Sequence, residues 1–134
     1  MKEDEMGLRT DLDGLRFRKP GEDTVYVIDQ GKKRGIPNPG VYDALFKTWD
    51  NIHLDIDINA IDDGPAVDQT AILFRCYDNP KVFLFDNGKK RWIESPAVMD
   101  RFQFNWNSIH VWNTPLSAIG YPDGPTITKT GRPD

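Results

Sequence analysis

The chain is predicted to take an α+β fold: two tandem repeats of about 57 residues, each a short antiparallel β-meander with a short helix and a further strand, packed together. Three observations carry this. First, Val25-Tyr26-Val27-Ile28-Asp29-Gln30-Gly31-Lys32-Lys33-Arg34 returns as Val82-Phe83-Leu84-Phe85-Asp86-Asn87-Gly88-Lys89-Lys90-Arg91, an offset of 82 − 25 = 57. Second, the same offset carries Phe17-Arg18 onto Phe74-Arg75, Pro39 onto Pro96, Asp43 onto Asp100, Trp49 onto Trp106 and Ile52-His53 onto Ile109-His110. Third, Asp63-Gly64-Pro65 matches Asp123-Gly124-Pro125 at an offset of 60, so three residues are inserted in the last loop of the second copy. Matches that hold register over such a span read as a duplication.

The copies are assigned to residues 14–70 and 71–127, between flexible polar tails at 1–13 and 128–134. Residues 15–18 and 72–75 form the first strand of each copy, and turns with Pro20-Gly21 and Asn79-Pro80 follow. Residues 24–29, rich in β-branched and aromatic side chains, form the second strand. Gln30-Gly31 and Asn87-Gly88 are two-residue hairpin turns, where Asn-Gly accepts the positive φ of a type I′ turn. Such a turn sets the register: Val27 faces Arg34, Ile28 faces Lys33, Tyr26 faces Gly35, and in the second copy Leu84 faces Arg91 and Phe83 faces Trp92. The middle strand is apolar on both faces and should be buried on both. Asn38 and Ser95 cap short helices that start at Pro39 and Pro96 and reach Phe46 and Phe102. Residues 52–58 alternate apolar and polar and predict a strand with one wet face, with residues 109–112 as its counterpart. Short helical turns are expected at 59–62 and 115–118. A unit of about 57 residues buries too little surface alone, so the two should share one core.

The pattern V-Y-x-x-D-x-G-K-K-R-x-I-x-x-P-x-V, followed by a Trp and then Asp-Gly-Pro, resembles a tandem repeat of exported or surface-associated bacterial proteins, a family with no established activity. The resemblance covers all but the tails and implies the fold, a surface or extracellular setting and, for function, only binding at a surface. The first copy departs from the pattern at Gly35, where a large residue is usual.

A net charge of −4 and a pI near 5.1 give no field that draws the chain to nucleic acid or an anionic membrane, and no apolar run is long enough to insert in one. One cysteine, Cys76, excludes an internal disulfide and argues against a thiolate zinc site. No cofactor is expected, because phosphate-loop and dinucleotide glycine patterns are absent. No catalytic constellation stands out either: His53 and His110 read as strand histidines, and no serine sits in a nucleophile elbow. Asp55-x-Asp57-x-Asn59 opens like a calcium loop, but Ala60 and Ala66 occupy the positions where the glycine and glutamate belong, so no metal ligand set is assigned.

Arg34 and Arg91 are expected to pair with a repeated acid, Asp43 or Asp100, and hold helix to hairpin. Trp49 and Trp106 recur and are assigned to the core. Trp92 and Trp112 do not recur, since Gly35 and Asp55 stand opposite them. Aromatics confined to one copy suggest a platform on which a glycan or a protein partner stacks. The predicted ligand-binding set is Trp92, Trp112, Tyr77, Lys89, Lys90 and Arg91. The chain is accordingly expected to be a non-enzymatic binding module for a glycan or surface partner; the alternative is a structural module whose aromatics meet another subunit. The oligomeric state is not readable.

Overall fold

Gln30 and Gly31 (φ 54° and 77°) and Asn87 and Gly88 (φ 53° and 78°) take left-handed backbone, and each pair closes a hairpin. The computed structural model describes residues 7–54 and 57–128. Around the first turn, β1 (Arg16–Arg18), β2 (Val25–Asp29) and β3 (Lys32–Gly35) form an antiparallel sheet, followed by helix α1 (Pro39–Leu45). Around the second, β4 (Ile72–Cys76), β5 (Val82–Asp86) and β6 (Lys89–Ile93) do the same, followed by α2 (Pro96–Phe102) and β7 (Ile109–Trp112). The fold is α+β. Equivalent pairs recur at the 57-residue offset: Val27 opposes Arg34 as Leu84 opposes Arg91, and Tyr26 opposes Gly35 as Phe83 opposes Trp92. Both helices start at a proline behind a side-chain cap, with Val41 N–H donating to Asn38 and Val98 N–H to Ser95.

Alternation along the strands divides the apolar residues into layers. Inward-facing Val25, Val27 and Ile36 meet Leu73, Val82, Leu84 and Ile93, and both helices add Val41, Tyr42, Leu45, Val98, Met99 and Phe102 to one continuous core. Both helices are two turns long and depend on this packing rather than on propensity. Where they end, the chain crosses itself: Lys47 N–H donates to the Gln103 carbonyl at 2.9 Å, and Asn105 N–H to that of Leu45 at 2.8 Å. The outer face of the first sheet carries Phe17 and Ile28 under Leu12, Ile58 and Ile61. The outer face of the second carries Phe74, Cys76 and Phe83, flanked by Phe85, Trp92, Trp112, Leu116 and Ile119.

Three expectations are corrected. Of the strand expected at 52–58, positions 55 and 56 lie outside the described residues, and the described ones make one parallel bridge, Phe17 to His53, whereas β7 pairs with β4 over four residues, Phe74 to His110 among them. Asp57 accounts for part of the difference. Its carboxylate accepts from Asn59 N–H at 3.0 Å and starts a 3-10 turn, Ile58–Ala60, that points Ile58 into the outer cluster. Residues 7–12, expected in a flexible tail, lie against the first sheet instead. Arg9 N–H donates to the Gly31 carbonyl, and buried Leu12 completes the outer cluster. Thr128, assigned to the other tail, is buried. Trp49 and Trp106 are not core residues, being 48% and 45% exposed. Each directly follows the helix-end crossing, and Trp49 lies over Tyr42 as a lid, with ring centroids 3.8 Å apart.

Candidate functional site

The repeated arginines belong to a buried charge cluster. Arg34 donates to Asp29 at 3.0 Å and to Asp86 at 2.6 Å, while Arg91 donates to both oxygens of Asp29 at 2.5 and 3.1 Å. Each arginine reaches the aspartate of the other sheet, and Arg34 also holds the Asp29 of its own. Each Nε also donates to a loop carbonyl, Arg34 to Pro65 at 2.7 Å and Arg91 to Pro125 at 2.9 Å. The partners are therefore Asp29 and Asp86, not Asp43 or Asp100. Asp43 instead accepts from the Trp49 indole at 2.9 Å. Burial would raise the Asp29 carboxyl, but the guanidinium of Arg91, with Arg34 behind it, holds it below the ordinary carboxylate range.

The lysines divide by face, as strand alternation dictates. Lys33 and Lys90 turn outward and pair with Asp63 and Asp123, both at 2.9 Å. Lys32 and Lys89 stand exposed on the inner side, at the rim of a cleft of about 420 Å³ between the hairpin tips. Asp29, Arg34, Asp86 and Arg91 line it, with Gln30 and Asn87 near the turns and Pro65 and Pro125 as walls.

The aromatic residues also fall into separate groups. Trp112 stacks on Phe74 with centroids 4.1 Å apart and planes 10° from parallel, so it covers the outer cluster. Trp92 is half-buried on the same face, with the Lys81 ammonium 4.6 Å from its ring centroid. Tyr77 lies in a different place. At 56% exposed it lines an open groove of about 640 Å³ with Trp106, Arg75, Asp78, Asn79 and Val111. The six predicted residues thus occupy three locations: Trp92, Trp112 and Lys90 on the outer face, Lys89 and Arg91 in the cleft, and Tyr77 in the groove with Trp106.

Sequence reasoning missed Trp106 as a surface residue, although a signal was present. Trp106 and Val111 are exposed in the second half, and Trp49 and Leu54, 57 residues earlier, are exposed in the first. Large apolar side chains retained twice at exposed positions are not explained by the core.

Other chemistry finds little footing among the described residues. No three metal-ligating side chains gather at one point. Asp55, the first residue of the calcium-like motif, lies outside the described residues, and Asp57 is engaged in its capping bond. Cys76 is buried at the end of β4, and burial pushes its thiol up, away from the nucleophilic thiolate. The His53 ring lies 5.2 Å from that of Phe17. In comparisons with protein-family models, curated proteins and solved structures, nothing matches the chain.

Proposed function

We propose that this chain is a non-enzymatic binding module that takes a glycan in the groove between Tyr77 and Trp106. The exposure of Trp106 together with its counterpart Trp49 is the observation that carries the reading. Trp49 at the equivalent place covers Tyr42, whereas the Trp106 indole is left half in water at the edge of an open groove, and ring faces of this kind stack on the apolar faces of sugars. Arg75, Asp78 and Asn79 line the same groove and supply the directional polar groups that orient such a ligand. A glycan-array screen of the intact chain tests this. Binding should be lost in Trp106→Ala and weakened in Tyr77→Ala, and equal binding by both variants removes the groove from consideration.

A second reading, assembly with another protein subunit, is favoured by exposed aliphatic side chains, since Val111 lines the groove with Trp106 and Leu54 is exposed at the equivalent position of the first half. Sedimentation over a concentration range separates the two. An assembly module associates and ignores sugars, whereas a glycan module stays at one mass.

A further inference from the structure

We infer that the cleft between the two hairpin tips is an anion site that takes a compact phosphoryl dianion, whether free phosphate or the phosphate group of a larger molecule. The inference is independent of the glycan groove, which shares no lining residue with this cleft.

The lining repeats. Asp29, Lys32, Arg34 and Pro65 have identical counterparts in Asp86, Lys89, Arg91 and Pro125, and the carboxamide of Gln30 has its counterpart in that of Asn87. Four cations face two carboxylates in the lining, an excess of two positive charges carried by Lys32 and Lys89, and the Asp68 carboxylate, which accepts from Asn87 N–H at 3.1 Å, stands at its edge, in a chain whose net charge is −4. That local excess of positive charge, in an acidic chain, concentrates small anions.

The two carboxylates do not repel such a ligand freely, because each is held by guanidinium groups. Arg91 commits three N–H groups, to Pro125 and the two oxygens of Asp29, out of the five a guanidinium carries. The ammonium groups of Lys32 and Lys89 make no hydrogen bond or ion pair with any described residue, whereas those of their outward neighbours Lys33 and Lys90 are both paired. Two unpaired ammonium groups stand at the rim of a floor whose two guanidiniums and two carboxylates balance, and they supply the positive charge that holds a tetrahedral oxyanion, with the turn carboxamides at hand as further donors.

Calorimetric titration of the whole chain at pH 7.5 and low salt, with inorganic phosphate, glucose 6-phosphate and glucose in parallel, tests the site. Phosphate should bind, glucose should not bind here, and the Lys32→Gln/Lys89→Gln double variant should lose roughly tenfold or more in phosphate affinity. Both lysines are exposed, so a circular-dichroism melt matching the parent shows that the fold is retained. Equal affinity for phosphate and its sugar ester identifies the free anion or a bare phosphoryl group as the ligand. Tighter binding of the ester, retained in Trp106→Ala, identifies a phosphorylated carbohydrate. No phosphate binding at tens of millimolar, or binding unchanged in the double variant, overturns the proposal and leaves the glycan groove untouched.

Discussion

Both terminal nitrogens of Arg91 clasp the carboxylate of Asp29, at 2.5 and 3.1 Å, across the boundary between the two sheets. Buried ion pairs of this kind contribute little over a well-packed apolar pair, yet removing one partner leaves an uncompensated charge. Arg91→Met should therefore cost about 3–5 kcal/mol in urea unfolding. Adding Asp29→Leu to it should recover part of that loss only if Arg34 retains Asp86, which makes the recovery a direct reading of how the cluster shares its charge. Arg91→Lys should also destabilise, because an ammonium cannot span two oxygens and the Pro125 carbonyl together.

Asp13 predicts the pH dependence. Its carboxyl is fully buried, accepts from Gly31 N–H at 2.8 Å through one oxygen, and has no partner for the other among the described residues. Burial pushes it up to about 7, with the nearby charges of Asp29 and Asp11 adding to the rise and Arg101 opposing it. A carboxyl raised in the folded state binds its proton more tightly there than in the unfolded chain. Its contribution is complete below the unfolded value of about 4 and is lost as pH rises through about 7. Asp13→Asn keeps the acceptor for Gly31 and removes the titration. Stability measured by urea unfolding should then decline less between pH 5 and 8, a difference on the order of 2 kcal/mol at the alkaline end. Identical pH profiles for the two proteins would refute the assignment.

Arg16 and Tyr42 make a third prediction. The buried guanidinium donates to the Tyr42 hydroxyl, to the Thr48 carbonyl at 2.7 Å and to the Asp50 carbonyl at 3.0 Å. The equivalent positions in the second half, 57 residues on, hold Leu73 and Met99, both buried. Arg16→Leu alone should cost about 2–3 kcal/mol, since it leaves the Asp50 carbonyl without its donor and removes the guanidinium from the Tyr42 hydroxyl and the Thr48 carbonyl, which keep only their bond to each other. With Tyr42→Met added, the loss should be less than the sum of the singles, giving a coupling of about 1 kcal/mol or more in a double-mutant cycle.

Trp112 and Trp106 should separate stability from binding. Trp112→Ala removes the ring stacked on Phe74 and uncovers the outer cluster, at a cost of about 2 kcal/mol in thermal or urea unfolding. Trp106→Ala, at a half-exposed ring, should change stability by less than about 1 kcal/mol and act on ligand binding instead.

What could be read from the residues was local. Two-residue turns fix which side chains face one another, so the pairings of Val27 with Arg34 and Phe83 with Trp92 were legible before any coordinates. Likewise a proline behind Asn38 or Ser95 announces a helix start. Partners brought together by the packing of one sheet on the other were not legible. Nothing near Arg34 in the chain names Asp86, 52 residues away, as its acid. The assignment of Trp49 and Trp106 to the interior failed because recurrence marks any retained role, and exposure depends on where the helix ends leave the ring. The buried pair Arg16 and Tyr42 did have a signal, since both depart together from an apolar pair in the other copy. A polar pair that replaces an apolar one in step is evidence of contact.

The three extra residues before Asp123 have a practical consequence. Lys90 still reaches Asp123 at 2.9 Å, the distance at which Lys33 reaches Asp63, and both lysines form the same parallel bridge to their aspartates. The two loops thus differ by three residues in length and end on the same anchor. Within the longer loop Leu116 and Ile119 are packed on the outer cluster, but Gly120 faces open space, which makes Gly120 the place to splice a fluorophore tag, a peptide epitope or a second domain.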